Sequence, residues 1–597
     1  MREEYSFWAS LGETERAKIR SAMDVRQVGR GEALIERGAK ADTLYVVDFG
    51  LFEVRDTKGR SLAQIGADQL IGEIGFFANA PRNATVVAAR DSQVLQINRE
   101  AFETLSRRVP EVQSEVIRAL AQRLASVTPM ARERLPSARA PRVVAIVGAG
   151  SASMSPAFID ELGQAVRGLP DARLLSGEDA RVSFPGEADR YAMAAWLAEA
   201  ERDHSLVVCV ADERLTAWSQ TALRGADQVV LVAGGSPETM GEVETQALEM
   251  FEPARRRLVV TQAVRTGFAD PGARWRERRD VFMTHHVATK DGADVRSLVR
   301  FLAGRAVGFV AGAGGAFGPA HIGIFKAFQE RGVEFDIFGG SSVGSAMAAG
   351  FAALMDPEEM RRATQEIFVR RKAMKRFNWP RYGLLDHSVL DEELRRNYPG
   401  RIEDVWKPYF AVATDLSTYS PRVLRNGLLW HAIRASAAIP GVLPPFVDSD
   451  GHMLVDGGVV DNVPLAAMRS LKSGPNLVVD LRPAVHRKFG VSYDAIPGRR
   501  ELLRRLALPI FGSRPLPRFP GPTSVILRTL FANIGAEPAS SENDLLLRPP
   551  PFPGSSFMNW AGHHQVFEAA YQWARQTIDS LGKTGSPALR AMTTFVA

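Results

Sequence analysis

Ser342 stands in the run Phe335-Asp-Ile-Phe-Gly-Gly340-Ser-Ser342-Val-Gly344-Ser-Ala-Met-Ala-Ala-Gly-Phe, where Gly-x-Ser-x-Gly separates an apolar strand from an Ala-rich helix. A turn this sharp forces strained backbone angles on the serine, and glycines two positions to either side remove the clashes that would forbid it. The hydroxyl then emerges at a helix N-terminus, where the helix dipole favours developing negative charge. Taken alone the pattern also fits an ordinary turn, but two companions add chemistry. Upstream, Val307-Gly-Phe-Val-Ala-Gly312-Ala-Gly314-Gly315-Ala-Phe-Gly318-Pro-Ala-His321-Ile-Gly323 reads as a strand, a loop of small residues and a helix. Bare amides in such a loop can converge on a tetrahedral oxyanion. Downstream, Met453-Leu-Val-Asp456-Gly457-Gly458 puts a carboxylate at a strand end, with glycines that allow close approach. Asp456 is therefore the candidate base for Ser342.

Other candidates carry weaker signals. A conventional triad would draw on His563 or His564, which follow Asp456 in the chain order of α/β-hydrolases. His321 reads as a packing or hydrogen-bonding residue, and Asp415 and Asp461 as turn or loop-tethering carboxylates. No histidine or carboxylate spacing is typical of a metal site.

A second constellation lies near the start. In Ile71-Gly72-Glu73-Ile-Gly-Phe-Phe-Ala-Asn-Ala-Pro-Arg82-Asn83-Ala-Thr-Val86, a short helix beginning near Gly72 would aim free N–H groups at an anion. Arg82 offers a guanidinium fork to the same phosphate, and Glu73 can accept from a sugar hydroxyl.

The elements that must position these residues need several domains, since 597 residues exceed one hydrophobic core. The 45% hydrophobic and 24% charged fractions belong to a chain that folds in water. No apolar run is long enough for a membrane span, and Met1 to Phe7 opens with charges rather than a signal peptide's apolar stretch, so a reducing cytoplasm is the expected setting. The single cysteine, Cys209, excludes an intramolecular disulfide and reads as a buried hydrophobe on the strand Leu206 to Val210. The net charge of +6 is unevenly placed. Arg361, Arg362, Arg370, Arg371, Lys372, Lys375 and Arg376 crowd one predicted helix, and Arg499, Arg500, Arg504 and Arg505 another. Each cluster reads as a solvated helix face, with an anionic bilayer surface as the second reading.

Residues 1–130 read as an α+β unit of short strands and glycine turns followed by helices, and the Ser, Ala, Arg and Pro of 131–141 as a linker. In 142–305, strands at Val143 to Val147, Leu206 to Val210, Gln228 to Val232 and Arg257 to Val260 alternate with helical patterns, which implies a parallel sheet covered by helices. Its opening turn, Gly148-Ala-Gly150-Ser151, lacks the lysine of a P-loop and the third glycine of a dinucleotide site, and reads as structural. A third unit spans 306–581, and 582–597 form a tail.

The stretch around Gly72, Glu73, Arg82 and Asn83 resembles the phosphate-binding cassette of cyclic-nucleotide-binding domains. The resemblance implies a β-roll with Glu73 at the ribose and Arg82 at the phosphate, and cAMP or cGMP as a regulatory ligand. Asn83 departs from the Ala, Ser or Thr more usual there. Transcription regulators share this module, but no helix-turn-helix pattern with a basic recognition helix follows residue 130, so nucleic acid is not an expected partner.

The glycine loop, Gly340-x-Ser342-x-Gly344 and Asp456-Gly457-Gly458, in that order, resemble the patatin-like phospholipase domain. From Trp196 to about Ala574 the chain resembles neuropathy target esterase, notably at Leu215-Thr-Ala-Trp218, Arg224, Ala226-Asp227, Gly241-Glu242, Val412-Ala-Thr-Asp415, Ala435-Ser436-Ala-Ala-Ile-Pro440 and Leu546-Leu-Arg548-Pro549. Membership implies an α/β hydrolase domain with a mainly parallel sheet and a Ser342–Asp456 dyad. It implies an acyl-enzyme on Ser342 and phospholipid or lysophospholipid carboxylic esters as substrates; transient association with the inner membrane face is the expectation that the basic clusters add, and no required cofactor is expected. Two residues depart from the family's loop: Ala313 replaces a glycine and Phe317 an arginine. Gly314 and Gly315 remain the expected oxyanion donors and Gly318 a packing glycine. Phe317 leaves open a catalytically silent cyclic-nucleotide receptor as the second reading.

Overall fold

The computed structural model describes residues 6–9, 11–127, 140–186, 189–265, 269, 272–290, 292–379, 381–482, 491–507, 541–552 and 557–593. Most of the linker expected at 131–141 lies outside these residues. Two compact units emerge, one of residues 1–306 with 469–474 and one of 307–468 with 475–597.

The first unit opens with a β-roll of two four-stranded antiparallel sheets. Alternation builds it: along Thr43–Phe49, Tyr45 and Val47 face a core shared with Phe52, Ile71 and Val86. Leu44 and Val46 face a second core with Phe76, Phe102, Leu105 and Val112 from the helices. The period of two is that of a strand buried on both faces. A wholly parallel six-stranded sheet follows, in the order Ala172–Leu175, Leu206–Val210, Val143–Gly150, Gln228–Gly234, Arg256–Gln262, Met283–Ala288. Its central strands Leu206–Val210, Val143–Gly150 and Gln228–Gly234 are nearly continuous apolar runs, as expected of strands buried on both faces. Cys209 is wholly buried within it. Within this unit Arg90 is buried and donates to Asp227 at 2.6 Å and Glu201 at 2.7 Å, while Arg30 donates to the Ala226 carbonyl at 2.8 Å. A buried guanidinium persists only with such partners, so the roll is fixed to the parallel sheet by charge pairing.

The second unit is built on a sheet ordered Phe446–Val447, Met453–Asp456, Tyr409–Asp415, Ile337–Ser341, Gly308–Ala311, Asn476–Val479, Asp544–Leu547. The last five run parallel, and Met453–Asp456 and Phe446–Val447 join antiparallel at one edge. The expected architecture of β-roll, α/β sheet and mainly parallel α/β domain is borne out. An aromatic cluster seats the strand bearing Ser341: Phe309 meets Phe335 and Phe351 at 5.3 Å, and Phe325 stacks on Phe351 at 4.0 Å. Such edge and stacked pairs add to the apolar burial that holds the helices Pro319–Gln329 and Val343–Ala352 to the sheet. The stretch expected as a tail carries a helix, Pro587–Thr593, that buries Ala588, Leu589 and Met592.

One helix differs from expectation. The basic cluster from Arg361 to Arg376 does not share one helix: Pro357–Gln365 passes into a single π-turn at Glu366–Arg370 and stops. Lys372 takes a left-handed φ of 53°, and Ala373 and Met374 turn inward to bury. Burial of those two side chains outweighs the helical propensity of the charged run. The Arg499–Ala507 helix forms, with Glu501 paired to Arg504 and Arg505.

Candidate active site

Ser342 sits between the strand Ile337–Ser341 and the helix Val343–Ala352 with φ 55° and ψ −130°. A left-handed angle on a non-glycine residue costs on the order of 1–3 kcal/mol and persists only where the surroundings enforce it. Here they do. The Ser342 N–H donates to Ser436 Oγ at 2.9 Å, Ser436 Oγ donates to the Val412 carbonyl at 2.6 Å, and Ser345 Oγ donates to the Ser342 carbonyl at 2.6 Å. The glycines are obligatory: a Cβ on Gly344 would lie 2.3 Å from the Ala311 carbonyl oxygen, and one on Gly340 would lie 2.5 Å from the Gly344 backbone.

The Ser342 hydroxyl donates to Asp456 Oδ2 at 2.6 Å, and both side chains are buried, at 3% and 0% exposure. Asp456 ends its strand and caps the short turn Gly457–Val459, where Gly458 N–H donates to Oδ1 at 2.8 Å. The Asp456 N–H donates to the Ala438 carbonyl at 3.0 Å, and Thr414 Oγ1 donates to the Asp456 carbonyl at 2.8 Å. Gly457 lets this strand end approach, since a Cβ there would lie 2.0 Å from the Val412 carbonyl. Burial pushes the Asp456 carboxyl up to about 7, against the opposing pull of Ser342 and the Gly458 amide.

The glycine loop is anchored at each end. Gly312 N–H donates to Val479, Ala313 N–H to Asn462, and Ala316 N–H to Phe557 carbonyls. The amides of Gly314 and Gly315 between them have no hydrogen-bond partner among the described residues. Gly315 takes φ 54°, and a Cβ there would lie 2.4 Å from the Phe557 carbonyl. A Cβ on Gly318 would lie 2.4 Å from Val343 Cγ2, so this glycine seats the loop on the serine's own helix. His321 is fully buried and bonds the Gly312 carbonyl through Nε2 at 2.9 Å, with burial lowering its pKa to about 4. As a neutral imidazole it donates there and steadies the loop.

Neither His563 nor His564 joins Ser342 and Asp456. His563 is buried against Thr364 Oγ1 at 2.8 Å, its pKa lowered to about 4 first by burial and then by Arg361, and His564 is exposed. Asp461 contributes its backbone carbonyl to Ser341 Oγ at 2.6 Å, and Asp415 tethers the Ser417 amide and His452. Phe317, where the family carries arginine, lies half-buried with its ring 6.1 Å from that of Phe552.

Two supports escaped sequence reasoning. Ser436, quoted above only as part of a matching run, links Ser342 to the neighbouring strand; a hydroxyl ending the apolar helix Leu429–Ser436 was the available signal. Asp480, not singled out at all, is buried and holds both Arg482 and Arg548 just beyond Val479, which anchors Gly312. Only the fold brings these distant segments together.

At the front, Gly72 adopts φ 85° before the helix Glu73–Ala78, and Glu73 is buried. Arg82 turns inward: Nη1 donates to the Gly72 carbonyl at 2.7 Å and Nη2 to the Thr43 carbonyl at 2.5 Å. A Cβ on Gly72 would strike Arg82 Nη1 at 2.3 Å. Asn83 is exposed. In the α/β domain, the N–H of Gly150, which ends the strand Val143–Gly150, donates to Glu244 at 3.0 Å, and Glu244 pairs with the equally buried Arg279. A carboxylate already occupies the amide that a phosphate would need.

The fold and these sites define a composite protein. Residues 25–108 match the family model for the cyclic nucleotide-binding domain, 156–304 that for the Neuropathy Target Esterase family P-loop like domain, and 309–469 that for patatin-like phospholipase. The chain carries these three domains, and the resemblance stated from its motifs is borne out. It is 27% identical over 520 residues to patatin-like phospholipase domain-containing protein 7 of Rattus norvegicus, covering 78% of this chain and 38% of the relative. It is 27% identical over 542 residues to patatin-like phospholipase domain-containing protein 6 of Homo sapiens, covering 81% and 39%. An uncharacterized NTE family protein of Mycobacterium tuberculosis is 29% identical over 508 residues, covering 83% of each chain. The chain thus spans well under half the length of the mammalian relatives.

Proposed function

We propose that the protein is a serine esterase that hydrolyses carboxylic esters of phospholipids or lysophospholipids through Ser342 and Asp456. The observation that carries this is the 2.6 Å hydrogen bond from the Ser342 hydroxyl to a wholly buried Asp456. Asp456 takes the hydroxyl proton as Ser342 Oγ attacks the ester carbonyl. The oxyanion is received by the amides of Gly314 and Gly315, which have no partner among the described residues, a contribution worth about 2.7–4 kcal/mol per donor in comparable sites. Collapse expels the alcohol, which leaves with the proton held by Asp456. Water then attacks the acyl-enzyme, giving its proton to Asp456, and the second collapse returns a proton to Ser342 and releases the fatty acid. A carboxyl raised to about 7 suits a base that must both accept and return a proton near neutrality. No imidazole is needed in this scheme, and the partners of His563 support its exclusion.

The front domain, assigned to residues 1–130, binds cAMP or cGMP as a regulatory ligand through Gly72, Glu73, Arg82 and Asn83. Residues 142–305 connect it to the hydrolase at 306–581, which works transiently at a bilayer surface on the cytoplasmic side with no required cofactor. Fatty-acid release from lysophosphatidylcholine, with and without cAMP or cGMP, tests the reading. Release by wild type and none by Ser342→Ala supports it and excludes the silent-receptor alternative. No release by wild type overturns the lipid substrate, and release undiminished in Ser342→Ala overturns the dyad.

A further inference from the structure

Where the basic run leaves its helix, the chain presents aromatic side chains to solvent. Phe377, Trp379 and Tyr382 are 87%, 85% and 71% exposed, far more than a water-facing loop normally spends on large rings. Cations precede them and one, Arg381, lies between the last two. Lys372, Lys375, Arg376 and Arg381 are exposed and make no ion pair among the described residues, whereas Arg370 and Arg371 pair with Glu366 and with Glu392 and Glu393. The Arg381 guanidinium lies 5.3 Å from the centre of the Tyr382 ring.

The loop is held from beneath. Ala373 and Met374 are buried, Phe377 forms a β-bridge with Leu385, and the Asn378 amide donates to the Leu384 carbonyl at 2.9 Å. Leu384 and Leu385 in turn donate to the carbonyls of Gly441 and Val442, in the segment whose Ala438 carbonyl accepts from the Asp456 amide. An exposed aromatic and cationic tip is thus tied by a short run of backbone bonds to the candidate base.

We propose that Phe377, Trp379 and Tyr382, with Lys372, Lys375, Arg376 and Arg381, form the surface by which this protein docks on an anionic lipid bilayer. The chemistry fits that occupant. Tryptophan and tyrosine rings favour the interface between headgroups and acyl chains. Unpaired lysines and arginines gain about 1 kcal/mol each beside an anionic surface, about fivefold in partitioning per residue. The placement deepens the function proposed above by naming where the lipid phase meets the hydrolase domain, and the docking itself does not depend on the dyad.

Vesicle co-sedimentation of the full chain, using phosphatidylcholine with and without phosphatidylglycerol, tests the docking. Wild type and Ser342→Ala are expected to bind the phosphatidylglycerol vesicles equally and to be released by salt. The triple variant Phe377→Ala, Trp379→Ala, Tyr382→Ala and the double variant Lys375→Glu, Arg376→Glu are each expected to lose at least about tenfold in partitioning. Both should keep wild-type circular dichroism and wild-type turnover of a water-soluble short-chain ester. Undiminished vesicle binding by either variant overturns the proposal. So does wild type that ignores vesicles yet retains a single-stranded oligonucleotide, or one that forms dimers broken by the aromatic substitutions. Vesicle binding lost with soluble turnover intact supports it even if no phospholipid is ever cleaved.

Discussion

The serine site carries Asp456 into the interior and the cyclic-nucleotide cassette carries Arg82 beside the buried Glu73, and the two sites treat the buried charge differently. Asp456 has its oxygens on the reacting hydroxyl and one glycine amide, and the two loop amides expected to receive charge have no partner among the described residues. That arrangement is organised before substrate arrives. Arg82 instead has its guanidinium on the carbonyls of Gly72 and Thr43, contacts that a cyclic phosphate must share or displace. A preorganised site loses little on binding, whereas a self-satisfied one gains only the difference between old and new partners. The hydrolase site should therefore need little rearrangement to receive its substrate, and the front module should show affinity well below what its residue types alone would supply.

The sharpest break of this contrast is Ser342→Ala, expected to reduce ester turnover by at least about 10³-fold with an unchanged fold, measured as fatty-acid release. Retained turnover would place the chemistry elsewhere. Next comes Asp456→Asn, expected to lose on the order of 10²–10⁴-fold. In wild type, kcat/KM should rise with pH through about 7 as Asp456 loses its proton, then level off. Stability should move oppositely. Folding raises this carboxyl from 3.8 to about 7, so between those values the folded chain holds a proton the unfolded chain has released, and the group's contribution to stability falls as pH rises across that window. Thermal melts from pH 4 to about 8 should show a shallower decline in Asp456→Asn than in wild type.

For the front module, Arg82→Ala is expected to weaken cAMP or cGMP binding by about tenfold or more in calorimetry. It should also lower stability by about 1–3 kcal/mol, because two carbonyls lose their donor. A variant that binds nucleotide as wild type does would remove Arg82 from the phosphate site. Gly315→Ala tests the glycine loop: the left-handed angle and the 2.4 Å clash with Phe557 should cost about 1–3 kcal/mol and lower kcat more than they raise KM. The smallest effect belongs to His564→Ala, expected to stay within about twofold of wild-type kcat/KM; a loss comparable to that of Asp456→Asn would restore the triad.

Much of this could be read without coordinates because it is local. Strand patterns at Leu206 to Val210 and Thr43 to Val47 reappear as strands because their apolar periodicity and their glycine bounds are properties of adjacent residues. The strand, turn and helix around Ser342 follow in the same way from Gly340 and Gly344. The basic run after Arg361 misled, since its charges read as one helix while the inward pull on Ala373 and Met374 came from tertiary packing.

The sequence by itself determined which residues had the chemistry: a serine flanked by glycines, an aspartate before two more, a loop without side chains, and an arginine ten positions after Gly72. Tertiary structure alone decided their state. Packing around the mixed sheet, with Ser342 after a parallel strand and Asp456 at the end of an antiparallel one, brings the two side chains to 2.6 Å and removes water from both, and that burial raises the carboxyl. It also hands the Ser342 amide to Ser436 and the His563 ring to Thr364. Proximity across more than a hundred residues and the dielectric around a charge are properties of packing, and no local pattern of residues encodes them.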